Sequence, residues 1–569
     1  MTSIFSLPPT IRCAVALFLL PSSSHFPSKS PIQTRHKSTS SHHPRKVQYM
    51  RAPFSYDDSL KLLSTLQTNR AIRTSLDATT DKNKDAIPEM LEWFRKAGYE
   101  PADLARSGIK CVHVAGSSGK GSVCAMIENL LVHHQDYEDV DAVASERIQG
   151  QLEKIGTYTS PHLVDVRERI RINGAPISKV LFLKHFSALW ERFGRVAGNR
   201  DFEGVEPLGD VEEVRPGYFR FLTILAFQIF MEEGVKTAVV ECGIGGEYDS
   251  TNILPTEAVA VSVITKLELD HVGMLGDTIE DIAWHKAGII RAEPPAFTAP
   301  QVQGALEVVL RRAAVMGADF AVTHRLPVLE TDTITLGLLG DFQKDNASLA
   351  VVAAAAFLRD IGVDAESLPT PDEIADGDPL PDRFVRGLET VSWPGRCEIY
   401  KNGNLEWCLD GAHTDEGMRA VAKWFRGKMD AAYAETDTAT MLIFNQDERD
   451  GNALLCTLIE ALTDLEEGAV HYSRMFKFAA FCPNEAFPVA KGEEERDLSK
   501  QQKLLRTYMN MDRNAVAAVY SSVGEAVHAA VRVSDRTKQR ALVLVTGSLH
   551  LVGAWIENVP EKHRLRSGK

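Results

Sequence analysis

Residues 109–122, IKCVHVAGSSGKGS, decide how this chain folds. The apolar first half, 109–115, predicts a buried strand, and residues 123–132 carry apolar side chains at helical spacing. A glycine-rich turn between a strand and a helix lets backbone N–H groups face an anion at the positive end of the helix, and Lys120 adds a positive charge. The pattern therefore predicts a nucleotide phosphate site. A solvated lysine on an ordinary turn is the alternative, because the spacing G-x-x-G-K-G-S differs from the common G-x-x-x-x-G-K-[ST].

The composition is that of a globular protein that binds small molecules. A chain of 569 residues with 44% hydrophobic side chains is long enough for two or three domains with sizeable cores. The formal charge of −14 argues against nonspecific binding to nucleic acid or to an anionic membrane. The eight cysteines form no C-x-x-C pair and no metal-ligand spacing, which is typical of a reducing compartment.

The first fifty residues differ from the rest of the chain. Residues 1–50 contain six Lys or Arg and no acidic residue, which is typical of a mitochondrial transit peptide. The apolar run 14–20 is too short to span a membrane, although it could be the core of a secretory signal. We predict a leader for the mitochondrial matrix or inner membrane, and a cytoplasmic form if translation starts at Met50.

Helix and strand patterns alternate after the leader, which predicts an α/β fold with a parallel sheet covered by helices. Helices are predicted at 56–67, 87–98, 123–132 and 219–230, and strands at 109–115, 237–242, 258–265, 405–409, 441–444, 516–520 and 541–546. The acidic stretches 134–153 and 199–213 lack apolar periodicity and are expected to be surface insertions. A polar segment before Thr390 predicts a domain boundary there, with domains at 51–390 and 391–569.

Polar side chains follow several predicted strands. Glu241 ends one strand, and Asp270 and His271 follow the next. Because ligands of such sheets bind at the carboxyl ends of the strands, these groups are expected near the phosphate turn. A carboxylate there suits Mg²⁺ held with a nucleotide. Lys286, on a following helix, is either an ion-pair partner or chemically special.

The C-terminal part contains weaker signals. Arg396 follows Trp-Pro-Gly, and Asp410 and His413 follow the strand 405–409. Arginine suits bidentate contact with phosphate, and an aspartate before a glycine turn can order a neighbouring group. These residues would reach the phosphate turn if the second domain covers the first, which predicts an active site in a cleft between domains.

Taken together, the motifs resemble those of the folylpolyglutamate synthases, members of the ATP-dependent Mur ligase superfamily, and the run VRERIRING resembles their eukaryotic branch. The matching stretches span most of residues 51–556 and are GSSGKGS (116–122), SPHLVDVRERIRING (160–174), PGYFRFLT (216–223), ECGIGGEYDSTN (241–252), LDHVGMLGDTIEDIAWHKAGI (269–289), WPGRCE (393–398), LDGAHT (409–414) and TGSLHLVGA (546–554).

The resemblance implies an N-terminal P-loop ATPase domain with a mainly parallel sheet and a smaller Rossmann-like C-terminal domain. It implies ATP contacts from Gly116, Gly119, Lys120, Gly121, Ser122, Asn346, Arg396 and Asp410. Magnesium would be held by Ser122, Ser160, Glu241, His271 and Lys286, the lysine as an anionic carbamate. Catalytic roles are implied for Lys120, Lys286 and His413, and contacts to the other substrates for Tyr218, Phe219, Asp249 and Ser548.

The chain departs from the family pattern at two places. Ser117 and Ser118 stand where the family often has Thr-Asn, which backbone binding of phosphate should tolerate. Phe342 stands in place of a usual histidine before Gln343, so no role is carried over to that position.

The reaction implied is ligation of L-glutamate to the γ-carboxylate of a folate through an acyl phosphate. The expected cofactors are ATP, Mg²⁺ and a monovalent cation such as K⁺. The expected partners are tetrahydrofolate or its polyglutamates, and L-glutamate; no nucleic acid, no integral membrane segment and a monomeric chain are expected. The alternatives are a dihydrofolate synthase that uses dihydropteroate and a non-catalytic protein that binds folate or nucleotide. A P-loop kinase or transport ATPase is disfavoured.

Overall fold

The computed structural model describes residues 55–75, 84–139, 141–196, 215–331, 333–435, 438–447, 449–463, 476–489, 494–512, 516–559 and 565–566. The predicted leader, 1–50, and the acidic stretch 199–213 lie outside these residues. None of the described helices combines the length and the apolarity needed to cross a bilayer.

The chain has the predicted α/β fold, and its first sheet contains the strand before the glycine-rich turn. The strands of this sheet are β1 (Lys110–Ala115), β2 (Ile155–Tyr158), β3 (Ile170–Ile172), β4 (Ala175–Pro176), β5 (Thr237–Glu241), β6 (Val259–Ile264), β7 (Ala296–Thr298) and β8 (Phe320–Val322). Their order is β4-β3-β2-β5-β1-β6-β7-β8, and β2, β5, β1, β6, β7 and β8 run parallel. The glycine-rich turn thus leaves the middle of the sheet.

Helices cover both faces of this sheet. They are α1 (Tyr56–Ser75), α2 (Ala86–Lys96), α3 (Pro101–Arg106), α4 (Lys120–Val132), α5 (Ala142–Leu152), α6 (Lys179–Val196), α7 (Tyr218–Glu232), α8 (Val272–Leu275), α9 (Ile279–Lys286), α10 (Gln303–Met316), α11 (Gln343–Asp360), α12 (Pro371–Asp376) and α13 (Asp382–Thr390). Side chains alternate across β1, so Val112 and Val114 pack with α4, α11 and α13, whereas Cys111 packs with α2, α6 and α7. Both faces of the sheet are buried under helices, as is usual for parallel sheets.

The second sheet begins after residue 397. Its strands in the described part of the chain are β9 (Glu398–Asn402), β10 (Leu405–Leu409), β11 (Ala439–Phe444), β12 (Phe478–Phe481), β13 (Ala517–Val519), β14 (Ala541–Thr546) and β15 (Leu565–Arg566), in the order β13-β12-β11-β14-β10-β9-β15. Its helices are α14 (Asp415–Glu435), α15 (Gly451–Thr463), α16 (Ser499–Met511), α17 (Val523–Thr537) and α18 (Leu549–Asn558). The boundary predicted near Thr390 falls between the two sheets, at the end of α13.

A helix that the sequence did not predict lies in one of the expected surface insertions. Residues 134–153 were expected to form an acidic insertion without apolar periodicity, but Ala142–Leu152 forms α5. The Asp141 side chain accepts the backbone N–H of Val143, and Ile148 and Leu152 are buried in the core. Two apolar residues four apart are enough to anchor a short helix, yet too few to stand out as a periodic pattern.

The first half of the chain, up to residue 390, and the second half, from residue 391, are in contact at Gly553. Gly553, on α18, packs so closely on the segment before β3 that a Cβ there would lie 2.1 Å from the carbonyl oxygen of Leu163. That segment is held by Glu168, whose carboxylate accepts the N–H of Leu163 and of Asp165 at 2.8 and 2.9 Å. The contact therefore joins α18 to a hydrogen-bonded segment of the first half.

We expect Gly553→Ala to lower the free energy of unfolding by about 1–3 kcal/mol, because the added methyl group must push two backbone segments apart. Gly427→Ala is the control: no atom lies within 4 Å of a Cβ there, on α14. Alanine is the better helix former, so the control should gain about 0.5–1 kcal/mol. Urea unfolding followed by circular dichroism measures both. Equal midpoints for the two variants would contradict the close packing at Gly553.

Candidate active site

The glycine-rich turn lies between β1 and α4, and its glycines are needed for packing. Gly116 has φ of 148°, and Gly119, the residue before α4, has φ of 87°. A Cβ on Gly116 would lie 1.8 Å from Thr265 Oγ1, and a Cβ on Gly119 would lie 2.4 Å from Asn346 Oδ1. The glycines thus admit side chains from two other segments, and the N–H groups at the start of α4 point toward the place where an anion would bind.

Two lysines converge on this turn. Lys120 Nζ donates to the carbonyl oxygens of Gly116 and Ser117 at 3.0 and 3.1 Å, and Lys286 Nζ donates to the Gly116 oxygen at 2.7 Å. Lys286 is 1% exposed. Burial and the charge of Lys120 lower the pKa of Lys286 to about 7, although Asp270 acts in the opposite direction. Lys286 thus bonds to a backbone carbonyl, not to the carboxylate of an ion pair.

A buried carboxylate faces the turn from the end of β5. Glu241 is 3% exposed, and its Oε2 accepts the backbone N–H of Ser160 at 2.9 Å. Burial raises the pKa of Glu241, while the nearby Lys120 opposes that shift. Ser122, in the first turn of α4, is also buried, and its hydroxyl accepts from Gln343 Nε2 at 3.3 Å.

His271 begins the short helix α8 in a left-handed conformation, with φ of 52°. Burial lowers its pKa to about 4, despite the carboxylate of Asp270, 3.6 Å from Nε2. The imidazole is therefore neutral at physiological pH and can act as a ligand. Asp270 itself, 6% exposed, accepts from Arg449 Nη2 of the second half of the chain at 2.6 Å.

The second half contributes a set of polar groups. Asp410 accepts the N–H groups of Cys397 and Ala412 at 2.8 Å each, so it orders the loops around Arg396. Burial raises the pKa of Asp410 and lowers that of His413. His413 Nδ1 donates to the Gly411 carbonyl at 2.8 Å, which leaves Nε2 of the neutral ring as an acceptor. Ser548 precedes α18, and its hydroxyl accepts the N–H of His550 at 3.1 Å.

The residues expected to contact the other substrates include Tyr218, Phe219 and Asp249, and each of these three has different surroundings. Phe219 fills the space where a Cβ of Gly243 would lie, and its ring faces the cleft. Tyr218 packs under the guanidinium of Arg169, 5.5 Å from the ring centre. Asp249 accepts four hydrogen bonds, from the N–H groups of residues 243, 244 and 251 and from the Thr251 hydroxyl, so it shapes the loop after β5.

A cleft of about 1340 Å³ lies between the two sheets and brings these groups together. Of the residues predicted from sequence, those that line it are Gly119, Lys120, Gly121, Ser122, Ser160, Phe219, Glu241, Asp249, His271, Asn346, Arg396, Asp410, His413 and Ser548. Gly116, Lys286 and Tyr218 are not among the residues that line it.

Sequence reasoning missed three residues of the site. Gln343 bonds to Ser122, Arg449 pairs with Asp270, and Glu268 accepts from the hydroxyl of Ser118 at 2.6 Å. Arg449 could have been found, because it follows β11, and polar residues after parallel strands meet at one edge of a sheet. Glu268 carries the same signal, because it follows β6, whereas Gln343 carries none.

Comparison with known proteins shows extended similarity. The family model described as "Dihydrofolate synthetase, C-terminal domain" matches residues 396–558. Folylpolyglutamate synthase of Saccharomyces cerevisiae strain S288c is 35% identical over 506 residues, which cover 88% of this chain and 86% of the yeast protein.

Solved structures share the fold. Mycobacterium tuberculosis folylpolyglutamate synthase complexed with ADP aligns with a TM-score of 0.60 and 22% identity, covering 88% of this chain and 97% of that one. E. coli FolC in complex with DHPP and ADP aligns with a TM-score of 0.58 and 20% identity, covering 89% and 98%.

We expect Arg449→Ala to lower the free energy of unfolding by about 1–3 kcal/mol, because it leaves the buried carboxylate of Asp270 without its cation. Arg419→Ala is the matched control: Arg419 pairs with Asp415 on the exposed face of α14 at 3.0 Å, with both side chains more than half exposed. Such a surface pair contributes at most about 0.5 kcal/mol. Urea unfolding measures the free energy of unfolding of both variants. If Arg419→Ala loses as much of it as Arg449→Ala, the Arg449–Asp270 pair has no special role in stability.

Proposed function

The chain belongs to the folylpolyglutamate synthase family, and from this premise we propose that it is an ATP-dependent ligase that adds L-glutamate to the γ-carboxylate of folates. The observation that carries the proposal is the cleft itself. The glycine-rich turn and Glu241 reach it from one sheet, and Arg396, Asp410 and His413 reach it from the other.

The first step transfers phosphate. The γ-carboxylate of the folate's terminal glutamate attacks the γ-phosphorus of ATP, the bond to the β-phosphate oxygen breaks, and an acyl phosphate and ADP form. The transferred group needs positive charge around it rather than a nucleophile from the enzyme. Lys120 supplies that charge from the turn, and Arg396 supplies it from the second half of the chain, close to Gly121.

The second step forms the amide. The amine of L-glutamate attacks the acyl carbon, a tetrahedral intermediate forms, and phosphate leaves. The attacking ammonium must first lose a proton. We assign its removal to His413, whose neutral ring presents Nε2 as an acceptor because Nδ1 donates to Gly411. Burial of the acyl phosphate between the two sheets would exclude water that could hydrolyse it.

The residues around the turn suit Mg²⁺. Glu241 is a buried carboxylate with one described partner, the Ser160 N–H, and Ser122 and neutral His271 lie on the same cleft. Among the described residues, no three His, Cys, Asp or Glu side chains form a metal cage. Mg²⁺ held with a nucleotide takes one or two carboxylate ligands from the protein and its other ligands from phosphates and water. When bound, the ion would neutralise charge on the phosphates.

Lys286 would complete the site as a carbamate. A lysine with a pKa of about 7 has a substantial neutral fraction at physiological pH, and the neutral amine is the form that adds to CO₂ with loss of one proton. The carbamate nitrogen would keep one N–H, which can still donate to the Gly116 oxygen. The product is an anion, which attracts the nearby ammonium of Lys120. The unmodified ammonium of Lys286 would repel Lys120 instead. A monovalent cation such as K⁺ would be a further activator.

The test is an assay with purified protein, ATP, Mg²⁺ and labelled L-glutamate, with tetrahydrofolate or dihydropteroate as acceptor. Mass spectrometry should count one or more glutamates added to tetrahydrofolate, and excess EDTA should stop the reaction. Lys120→Ala should lower the rate by at least about 100-fold, because a charge that stabilises the transition state is lost, while the unfolding midpoint stays unchanged. Full turnover by this variant would refute the role of the turn.

Dihydrofolate synthase is the second candidate, favoured by the match of the C-terminal residues to a dihydrofolate synthetase model. The same ATP site would serve it, and only the acceptor would differ. Activity on dihydropteroate alone would select it. Binding of ATP and folate without product from either acceptor would point to a non-catalytic homologue.

We further propose that residues 1–50 direct the protein to mitochondria and that a start at Met50 yields a cytoplasmic form. The support is the basic, acid-free composition of this segment. Mapping of N-terminal peptides from the two cell fractions should find cleavage within the first fifty residues in mitochondria and a start at Met50 in the cytoplasm. A single N-terminus in both fractions would refute the second form.

A further inference from the structure

Residues 391–397 form the linker that joins α13 to β9, and therefore the first half of the chain to the second. The linker contains Arg396, which lines the cleft, and Trp393, to which the ligation steps give no role. Both side chains lie against the same residue of the glycine-rich turn. A Cβ added to Gly121 would lie 3.1 Å from Trp393 Nε1 and 3.9 Å from Arg396 Nη2. Two side chains of the linker thus contact the first turn of α4.

The indole of Trp393 also contacts a cation from the first sheet. The guanidinium of Arg171, on β3, lies over the indole ring, 5.1 Å from its centre. A cation over the face of an indole is attracted by the electrons of the ring, and more strongly where water is excluded. Trp393 is partly buried and packs against the core that contains the apolar side chains of α4. The ring is therefore held by two elements of the first half, α4 and β3.

Arg171 is itself held by α4. Its Nε lies 3.4 Å from Oε2 of Glu128, which follows Gly121 by about two helical turns. Glu128 is 4% exposed, and its Oε1 accepts the N–H of Gly174 at 3.1 Å. A carboxylate buried to this degree needs its cation, because an unpaired charge there would be strongly destabilising. The guanidinium over the indole therefore has a fixed place relative to α4.

The other end of the linker is held by the second half of the chain. The Gly395 carbonyl oxygen accepts the N–H of Gly411 at 3.0 Å, and the N–H of Cys397 donates to Asp410 at 2.8 Å. Arg396 Nη1 donates to the same Gly395 oxygen at 3.1 Å. These bonds tie the arginine to the second half, whereas the indole ties the same linker to the first half.

We propose that Trp393 is a positioning residue, which by packing on Gly121 places the guanidinium of Arg396 beside the phosphates of a nucleotide bound at the glycine-rich turn. Pro394 follows Trp393 directly. Proline fixes its own φ and also restricts the residue before it, so the backbone that carries the indole has little freedom. A displaced indole would therefore move the linker. Hydrogen bonds from a guanidinium to phosphate depend on placement, so such a movement would weaken nucleotide binding.

The test is a double-mutant cycle on the full-length protein. Titration calorimetry measures binding of an ATP analogue with a methylene bridge between the β and γ phosphorus atoms, in the presence of Mg²⁺. Arg396→Ala should raise Kd at least about tenfold, because a hydrogen-bonding cation beside the phosphates is lost. Trp393→Ala should raise Kd about five- to tenfold when Arg396 is present, but less than about twofold when residue 396 is already alanine, because the two side chains act as one unit.

Trp93→Ala is the matched control. Trp93, on α2, is also a partly buried tryptophan with a cation over its ring, Lys96 Nζ at 4.4 Å, and it is not among the residues that line the cleft. Its loss removes a comparable amount of packing far along the chain from the linker. Kd should therefore stay within about twofold of its value in the parent protein, with or without Arg396.

Trp393→Phe keeps an aromatic ring at the linker and should give a Kd between those of the wild type and Trp393→Ala. Should Trp393→Ala fail to fold, the cycle is run with Trp393→Phe, whose smaller rise in Kd should likewise disappear when Arg396 is absent. A rise in Kd that is equal with and without Arg396 would overturn the proposal, because Trp393 would then act independently of the arginine. A wild-type Kd for Trp393→Ala would overturn it too.

The inference rests on the proposed function only in that a nucleotide binds with its phosphates at the glycine-rich turn. Binding of the analogue needs no ligation, so the two fail separately. Coupled effects of the two substitutions without any glutamate transfer by the wild type would retain the role of Trp393 and refute the ligase. Glutamate transfer by the wild type with independent effects of the two substitutions would do the reverse.

Discussion

The carbonyl oxygen of Gly116 accepts hydrogen bonds from two lysine side chains, Lys120 and Lys286, and the rest of the site is arranged around it. Burial lowers the pKa of Lys286, and so does repulsion by the ammonium of Lys120, which shares this oxygen. A neutral peptide oxygen cannot balance two positive charges. The turn is therefore prepared for anions, which a triphosphate and a carbamate would supply, and Glu241 lies across from it as a buried carboxylate that suits a divalent cation.

The second half of the chain acts on this turn through a few contacts between charged or closely packed groups. Arg449 pairs with Asp270 beside His271, and Thr414 donates to Glu268, which also accepts from the Ser118 hydroxyl. The close approach of Gly553 to Leu163 holds α18 against the segment that contains Ser160. The backbone N–H of Ser160 donates to Glu241. These contacts connect the covering half to the residues that would bind phosphate and metal.

Much of the fold could be predicted because its signals are local. The helices at 56–67, 87–98 and 219–230 and the strands at 237–242 and 541–546 appear within one or two residues of the predicted ends, apart from α1, which extends to Ser75. Buried parallel strands show as apolar runs, and long helices show as apolar stripes. The helix α5 within 134–153 was not predicted because only two of its apolar side chains, Ile148 and Leu152, are buried in the core.

The chain's residues alone indicated an α/β fold and a phosphate-binding turn with Lys120. They also indicated the candidates Glu241, His271, Lys286, Arg396 and Asp410. Each of these lies in a short motif whose residue types and position after a strand or on a helix already suggest a chemical role. Which groups touch was decided by the tertiary structure. Gln343, Arg449 and Glu268 act through partners more than a hundred residues away. A position after a strand places Arg449 at the sheet edge, but no local pattern identifies the partner. The pKa of Lys286 likewise depends on burial and on a neighbouring charge, which arise only when β1, α4 and α9 pack together.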